Sequence, residues 1–353
     1  MKYTNRETAA PESSSEGLSQ TRAISYALPS VAVGMLITPM AIIQGIYAKH
    51  YGVTLSSLAL IVFYSRIFDA VSDPLIGYLS DRYRRKHGTR KPFIVIGMLL
   101  LLVCGYFLYV PPDQVSTAYI AAWLIAFYAA YTLFEIPHIA WPCDLAGESA
   151  STAKLYTYRM VAIFSGTILF YSIPLLPIFE TKDITPHTLK IVFFVAVILA
   201  LPSLFQAMRA VPSGKPSVPV DQVPSKQRWR LLQPLIKEMI TNIPFLILIA
   251  VFIFVSASAG MWYGLMFIYV DVYLSMGDRF AELFLIASLI SIAMAPLWYR
   301  SSLRFGKKKI LFVVVALLIS SYLYTNTLSP GQTSFIQLLL LISVHISAYM
   351  GGG

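Results

Sequence analysis

The amino-acid sequence predicts an all-α membrane protein, a bundle of ten membrane-spanning helices arranged in two unequal halves. Apolar residues fill 57% of the 353 positions and charged residues only 12%, a balance foreign to water-soluble domains. At about 20 apolar residues per crossing, that stock supplies roughly ten spans. The cations cluster in alternate polar connections, and one long polar interruption divides the chain. The same composition argues against a soluble enzyme, a disulfide-built secreted domain and a nucleic-acid binder. The net charge of +10 reads as loop asymmetry.

Residues 1–22 are polar and Ser/Glu-rich, without the apolar core and small-residue cleavage site of a signal peptide, and read as a disordered cytosolic tail. Apolar stretches follow at 23–48, 55–79, 93–110, 117–140, 161–178 and 189–208, giving a six-helix N-terminal half over 23–208. The Pro-rich, basic stretch 209–243 is a cytosolic central loop. Four further stretches, at 244–273, 282–298, 310–324 and 333–350, make a shorter C-terminal half over 244–353. Short basic turns at 77–92 and 296–310 follow the second span of each half, the arrangement expected of a transporter made from two repeated halves. A six-plus-six plan needs twelve spans, so the second half is read as lacking its last two.

Orientation follows from the cations. Arg82, Arg84, Arg85, Lys86, Arg90 and Lys91, the central loop, and the run from Arg300 to Lys309 share the side of the N-terminus. Lys49, Lys182, Lys190 and Arg279 remain for the other side. The positive-inside rule then predicts a cytosolic N-terminus in a multi-pass protein of the plasma membrane, the inner membrane in a bacterium. Cys104 and Cys143 form neither a CxxC motif nor a disulfide framework. No GxxxxGK[ST] motif is present, which argues against a self-contained ATP-driven pump.

Ionisable groups inside apolar spans are expensive to bury and carry the functional signal. In the second span, Arg66, Asp69 and Asp73 are three and then four residues apart, which places them on one helical face. Two carboxylates one turn apart suit a hard cation or a proton, with Arg66 supporting one of them. Pro74 frees the Ala70 carbonyl as a further oxygen. In the fourth span, Glu135 lies deep, Thr132 shares its face and can add an oxygen to the cation site, and Tyr131 precedes it. Arg159, at the start of the fifth span, is a candidate partner for Glu135 or for an anionic or hydroxyl-rich substrate. The alternative is an arginine that snorkels to the headgroups. Asp271, Asp278, Arg279 and Glu282 read as an outer rim, and His138 and His345 as packed core histidines. After the second span, Gly77 is expected to allow close helix contact. Asp81 and Arg82 form a conformational switch, with Asp81 capping a helix or pairing with a base across the halves.

The run RIFDAVSDPLIGYLSDR (66–82), the basic turn, KPFIVIG (91–97), the Y-T-x-x-acid-I-P run from Tyr131 to Pro137 and Arg159 after Tyr158 occur in a recognisable order. They resemble the melibiose permease family, the glycoside-pentoside-hexuronide:cation symporters of the major facilitator superfamily. The resemblance runs from about residue 25 to the C-terminus, and it implies a major-facilitator-type bundle, cation-coupled symport of a sugar or glycoside and alternating access. It further implies that Asp69 and Asp73, with Thr132 and with Ser72 in place of the family's Asn, hold sodium, a proton or lithium. Tyr131, Glu135 and Arg159 would line the sugar site.

Four features depart from the family pattern. Val33 or Gly34 stands where the permease has a sugar-binding Asp, and Ile139 stands where it has a stacking Trp. Ser72 replaces an Asn, and the eleventh helix with its Lys is not represented. The family also includes vertebrate lysolipid carriers, so an amphipathic cargo is the alternative substrate and a non-transporting truncated fragment the alternative class. The expected partners are the bilayer, a coupling cation and a small molecule, with no nucleic acid and no cofactor beyond the cation.

Overall fold

The structure is a computed structural model that describes residues 19–145, 149–214, 234 and 238–351. Among these residues all regular structure is helical. The expected tail lies outside them except for 19–22, and the expected central loop lies outside them over 215–233 and 235–237.

The first crossing is broken into α1 (Gln20–Ala27), α2 (Pro29–Ile37), a 3₁₀ turn (Thr38–Ala41) and α3 (Ile43–Tyr51). Pro29 and Pro39 cause the breaks, because neither supplies an N–H to the helical ladder. Next comes α4 (Leu55–His87), whose 33 residues span about 50 Å at 1.5 Å per residue. That exceeds the roughly 30 Å apolar layer of a bilayer, so α4 carries its basic last turns beyond it. The expected span ended at Leu79. The helix instead runs on through Arg82–His87, whose cations lie favourably at a helix C-terminus, and stops at Gly88 with φ of 75°.

Then follow α5 (Lys91–Tyr109), α6 (Thr117–Leu145), α7 (Ser149–Ser172) and α8 (Pro186–Ala210), the last opened by a Thr185–Thr188 capping box. The later part holds α9 (Ile243–Ile268), extended by a π turn (Tyr269–Tyr273), then α10 (Phe280–Phe305), α11 (Lys307–Thr325) and α12 (Phe335–Gly351). Among the described residues nine helices are long and apolar enough to cross a membrane. The tenth expected span is α12, a helix of 17 residues.

Glycine sets the tightest crossing. A Cβ on Gly34 would stand 2.3 Å from the Ile163 carbonyl oxygen, and one on Gly166 2.1 Å from that of Val31. This crossing brings α2 and α7 into backbone contact, and Thr38 and Thr167 share a 2.9 Å hydrogen bond beside it. A Gly166→Val variant is expected to lose about 1–3 kcal/mol through overpacking, read as a lower melting temperature in detergent. A melting temperature equal to the parent protein's would contradict this account of the crossing.

The first crossing and α9 pack differently. The first crossing is 72% buried over its apolar window, whereas the Ile243–Tyr273 helix is 6% buried. The physical reason is that α7 and α8 both pack on α2, and no such pair flanks α9 among the described residues.

Candidate functional site

On α4 the expected face is formed. Arg66 Nη1 donates to Asp69 Oδ2 at 3.0 Å, and its guanidinium lies 4.1 Å from the ring centre of Tyr128 on α6. Arg66 is thus held by a carboxylate and an aromatic face, and it compensates one Asp69 oxygen. Asp69 Oδ1 and Asp73 Oδ1 are buried without hydrogen-bond partners. The Ser72 hydroxyl stands 3.5 Å from the Asp69 carbonyl, so this buried side chain turns to its own backbone. Thr132 is buried on α6, the helix that packs along α4.

The deep part of α6 is anchored by its prolines. Pro142 offers no N–H to the His138 carbonyl, and the Tyr26 hydroxyl of α1 donates there at 3.0 Å. His138 Nε2 in turn donates to the Tyr26 carbonyl at 3.0 Å. Both residues are fully buried, and their reciprocal bonds fix α6 against α1 one turn beyond Glu135. His138 is a packed core histidine, as expected, bonded through Nε2 while its Nδ1 is buried without a partner.

Glu135 forms an ion pair with Arg159 of α7. Arg159 is buried, so it does not snorkel to an interface. One atom on each side of the pair, Glu135 Oε2 and Arg159 Nε, is buried and unpartnered. Tyr131, half-buried, stands one turn before Glu135. Asp69 Oδ1, Asp73 Oδ1, Glu135 Oε2 and Arg159 Nε, on α4, α6 and α7, thus lack partners within the protein, a cost that a bound cation or polar ligand relieves. Among the described residues no group of three or more His, Cys, Asp or Glu stands together as a metal cage. The two carboxylates are hard-oxygen donors of the kind that suits a small cation or a proton.

The basic turn departs from expectation. Asp81 pairs with Arg90 at the start of α5, not with a base across the halves, because Gly88 folds the chain back and sets Arg90 beside the last turns of α4. A Cβ on Gly77 would make only an ordinary 3.8 Å contact with Ile136, so close helix approach does not require this glycine. Arg82 is exposed. The centre of the cluster is Asp144, which sequence reading passed over: Arg84 Nε lies 3.0 Å and Arg90 Nε 2.8 Å from its two oxygens. Burial opposes the charge on Arg90, yet its hydrogen bonds to Asp144 and Asp81 hold its pKa above the usual arginine value. The only sequence signal for Asp144 is its place at the end of the fourth span, on the side of the basic turn.

Asp271 also differs from the expected rim. Its carboxylate pairs with Lys49 at 2.9 Å, leaving Arg279 to Asp278 and Glu282 at 3.5 and 3.3 Å.

A family profile described as MFS/sugar transport protein matches residues 25–352. The chain belongs to this family. Among individual MFS relatives, YagG of Escherichia coli, named as a glycoside/cation symporter, is 28% identical over 156 residues, 43% of this chain and 34% of the relative. YnaJ of Bacillus subtilis, an uncharacterized symporter, is 22% identical over 348 residues, 95% of this chain and 73% of the relative. The sodium-dependent lysophosphatidylcholine symporter 1-A of Danio rerio is 27% identical over 117 residues, 31% of this chain and 21% of the relative. The chain thus spans about a third or less of two of these relatives and about three quarters of YnaJ.

Two solved MFS-type structures share the fold. One is a bacterial homolog of the human lysosomal transporter Spinster, in an inward-facing and unoccupied conformation (TM-score 0.61, 14% identity, 94% of this chain and 72% of that one). The other is a D-xylose-proton symporter (TM-score 0.54, 15% identity, 94% and 78%). The matching proteins are membrane transporters, not enzymes, and this MFS chain is a multi-pass membrane protein.

Proposed function

We propose that this protein is a cation-coupled symporter that carries a sugar or glycoside across the plasma membrane by alternating access. Asp69 and Asp73, with Thr132 and Ser72 beside them, hold sodium or a proton, while Tyr131, Glu135 and Arg159 meet the sugar hydroxyls. The observation that carries this reading is that Asp69 Oδ1, Asp73 Oδ1, Glu135 Oε2 and Arg159 Nε are buried and unpartnered charged-group atoms on neighbouring helices. Charged groups at membrane depth are tolerated when they serve an ion or substrate path. Gly77, Asp81 and Arg82 belong to the turn that moves with the change of state. The two-half division at 23–208 and 244–353 is part of the same reading.

The test is uptake into proteoliposomes with and without a sodium or proton gradient, across a panel of glycosides together with lysophosphatidylcholine. Gradient-driven glycoside uptake supports the proposal, and uptake of no panel member under any gradient would sink it. Preference for lysophosphatidylcholine would favour the second reading, an amphipathic cargo, which the similarity to the Danio rerio protein supports.

We also propose that the end bearing Arg84, Arg90 and Asp144 faces the cytosol. Cys143 at that end is exposed and Cys104 is buried, so an impermeant maleimide is expected to label intact cells only after permeabilisation. Labelling of Cys143 from outside would reverse the orientation.

A further inference from the structure

At the end opposite the basic turns, the first six crossings close against the last four. Lys49 Nζ donates to both oxygens of Asp271, each at 2.9 Å. Beneath this pair a Cβ on Gly45 would stand 2.4 Å from the Phe267 ring, and one on Gly264 3.9 Å from Gln44. Beside it, Tyr171 of α7 lies 5.4 Å from Phe284 of α10, centre to centre, and Lys182 reaches Glu282 at 3.7 Å. At the basic end the ion pairs Arg84–Asp144, Arg90–Asp144 and Arg90–Asp81 all stay within the first six crossings.

The Lys49–Asp271 pair is built with some care. Its members are 222 residues apart, as are Gly45 and Phe267, so α3 and the end of α9 run side by side in one register here. Asp271 sits in the π turn, where Leu274 N–H bonds the Tyr269 carbonyl at 2.9 Å. Such one-residue insertions re-aim side chains and recur at functional sites. Ser275 holds φ at 55°, an uncommon value for a residue with a Cβ, and turns the chain back behind the carboxylate. A Cβ on Gly277 would stand 1.9 Å from Asp271 Oδ1, so a side chain there would push the carboxylate aside. The Asp271 side chain is 8% exposed against 41% for Lys49.

We propose that Lys49 and Asp271 form the latch that seals this end of the transport path and must part each time the site opens toward it. The proposal rests on the transporter reading above, because a latch has work only where two halves alternate. It assigns Asp271 a role in gating, not in binding. Removing either charge weakens the closed arrangement and shifts the population toward the state open at the Lys49 end.

The test uses the full chain with Cys104 and Cys143 replaced by serine and one reporter, Gln44→Cys, just beneath the latch. Reconstituted protein is exposed to an impermeant maleimide from the Lys49 side, without substrate. Lys49→Gln and Asp271→Asn are each expected to raise the labelling rate about fivefold or more, the lower range of ordinary coupling between sites. Gly277→Ala, which displaces the carboxylate but keeps its charge, should raise it in the same direction. Lys49→Asp with Asp271→Lys should return labelling toward the parent rate, and Arg279→Gln, which touches only its own half, should leave it unchanged. Parent-like rates in both single variants, or a swap as fast as the singles, overturn the latch. Uptake is a separate readout: its absence beside the expected labelling pattern faults the transport reading and leaves only the contact that holds this end closed, whereas uptake beside parent-like labelling faults the latch alone.

Discussion

Asp73→Asn is expected to abolish cation-stimulated uptake while the protein remains in the membrane. Among the described residues Asp73 has no ion-pair partner, and its Oδ1 is buried and unbonded. Asp69 is partly compensated by Arg66 at 3.0 Å, so at Asp73 a bound cation finds the fuller negative charge. Removing a buried charge from its partner costs about 2–5 kcal/mol, so cation affinity should fall roughly 30-fold or more. Asp69→Asn is expected to act in the same direction. Cation stimulation that persists in both single variants would remove the two aspartates from the site.

The second large effect is expected at Glu135 and Arg159. They form a buried ion pair, and the competing account is that this pair only joins α6 to α7. The unpartnered Glu135 Oε2 and Arg159 Nε favour substrate contact, because a pair serving structure alone has no use for an unpaired buried donor and acceptor. Glu135→Gln and Arg159→Lys should each weaken substrate binding before cation binding, since neighbouring hydroxyls lose a charge-assisted bond. The charge-swapped double variant separates the accounts. Restored substrate affinity in Glu135→Arg with Arg159→Glu makes the pair structural, whereas affinity that stays low places both at the substrate. If they bind substrate beside the ion, cation and substrate should each tighten the other by the same factor, about 5- to 150-fold, as linkage requires.

The sequence by itself determined the features that depend on neighbours along the chain. The apolar runs and the one-face spacing of Arg66, Asp69 and Asp73 follow from helix periodicity; the first crossing reads as one span over 23–48, and its breaks at Pro29 and Pro39 come only with the structure. Helix ends were less legible. Hydropathy ended the second span at Leu79 because it senses the lipid layer, while α4 continues to the left-handed Gly88.

What only the tertiary structure decided are the pairings between distant residues. Asp81 was expected to cap a helix or to pair with a base across the halves, and instead pairs with the Arg90 side chain within the first half. Asp144, silent in the sequence, gathers two arginines. Tyr26 finds His138 at a separation of 112 residues, and Lys49 finds Asp271 at 222. The physical reason is one of range. Backbone periodicity and membrane thickness act within a helix and are written in local spacing. The partner of a buried charge is set by which helices pack together, and so by glycine crossings such as Gly34 with Gly166, which no local pattern pairs.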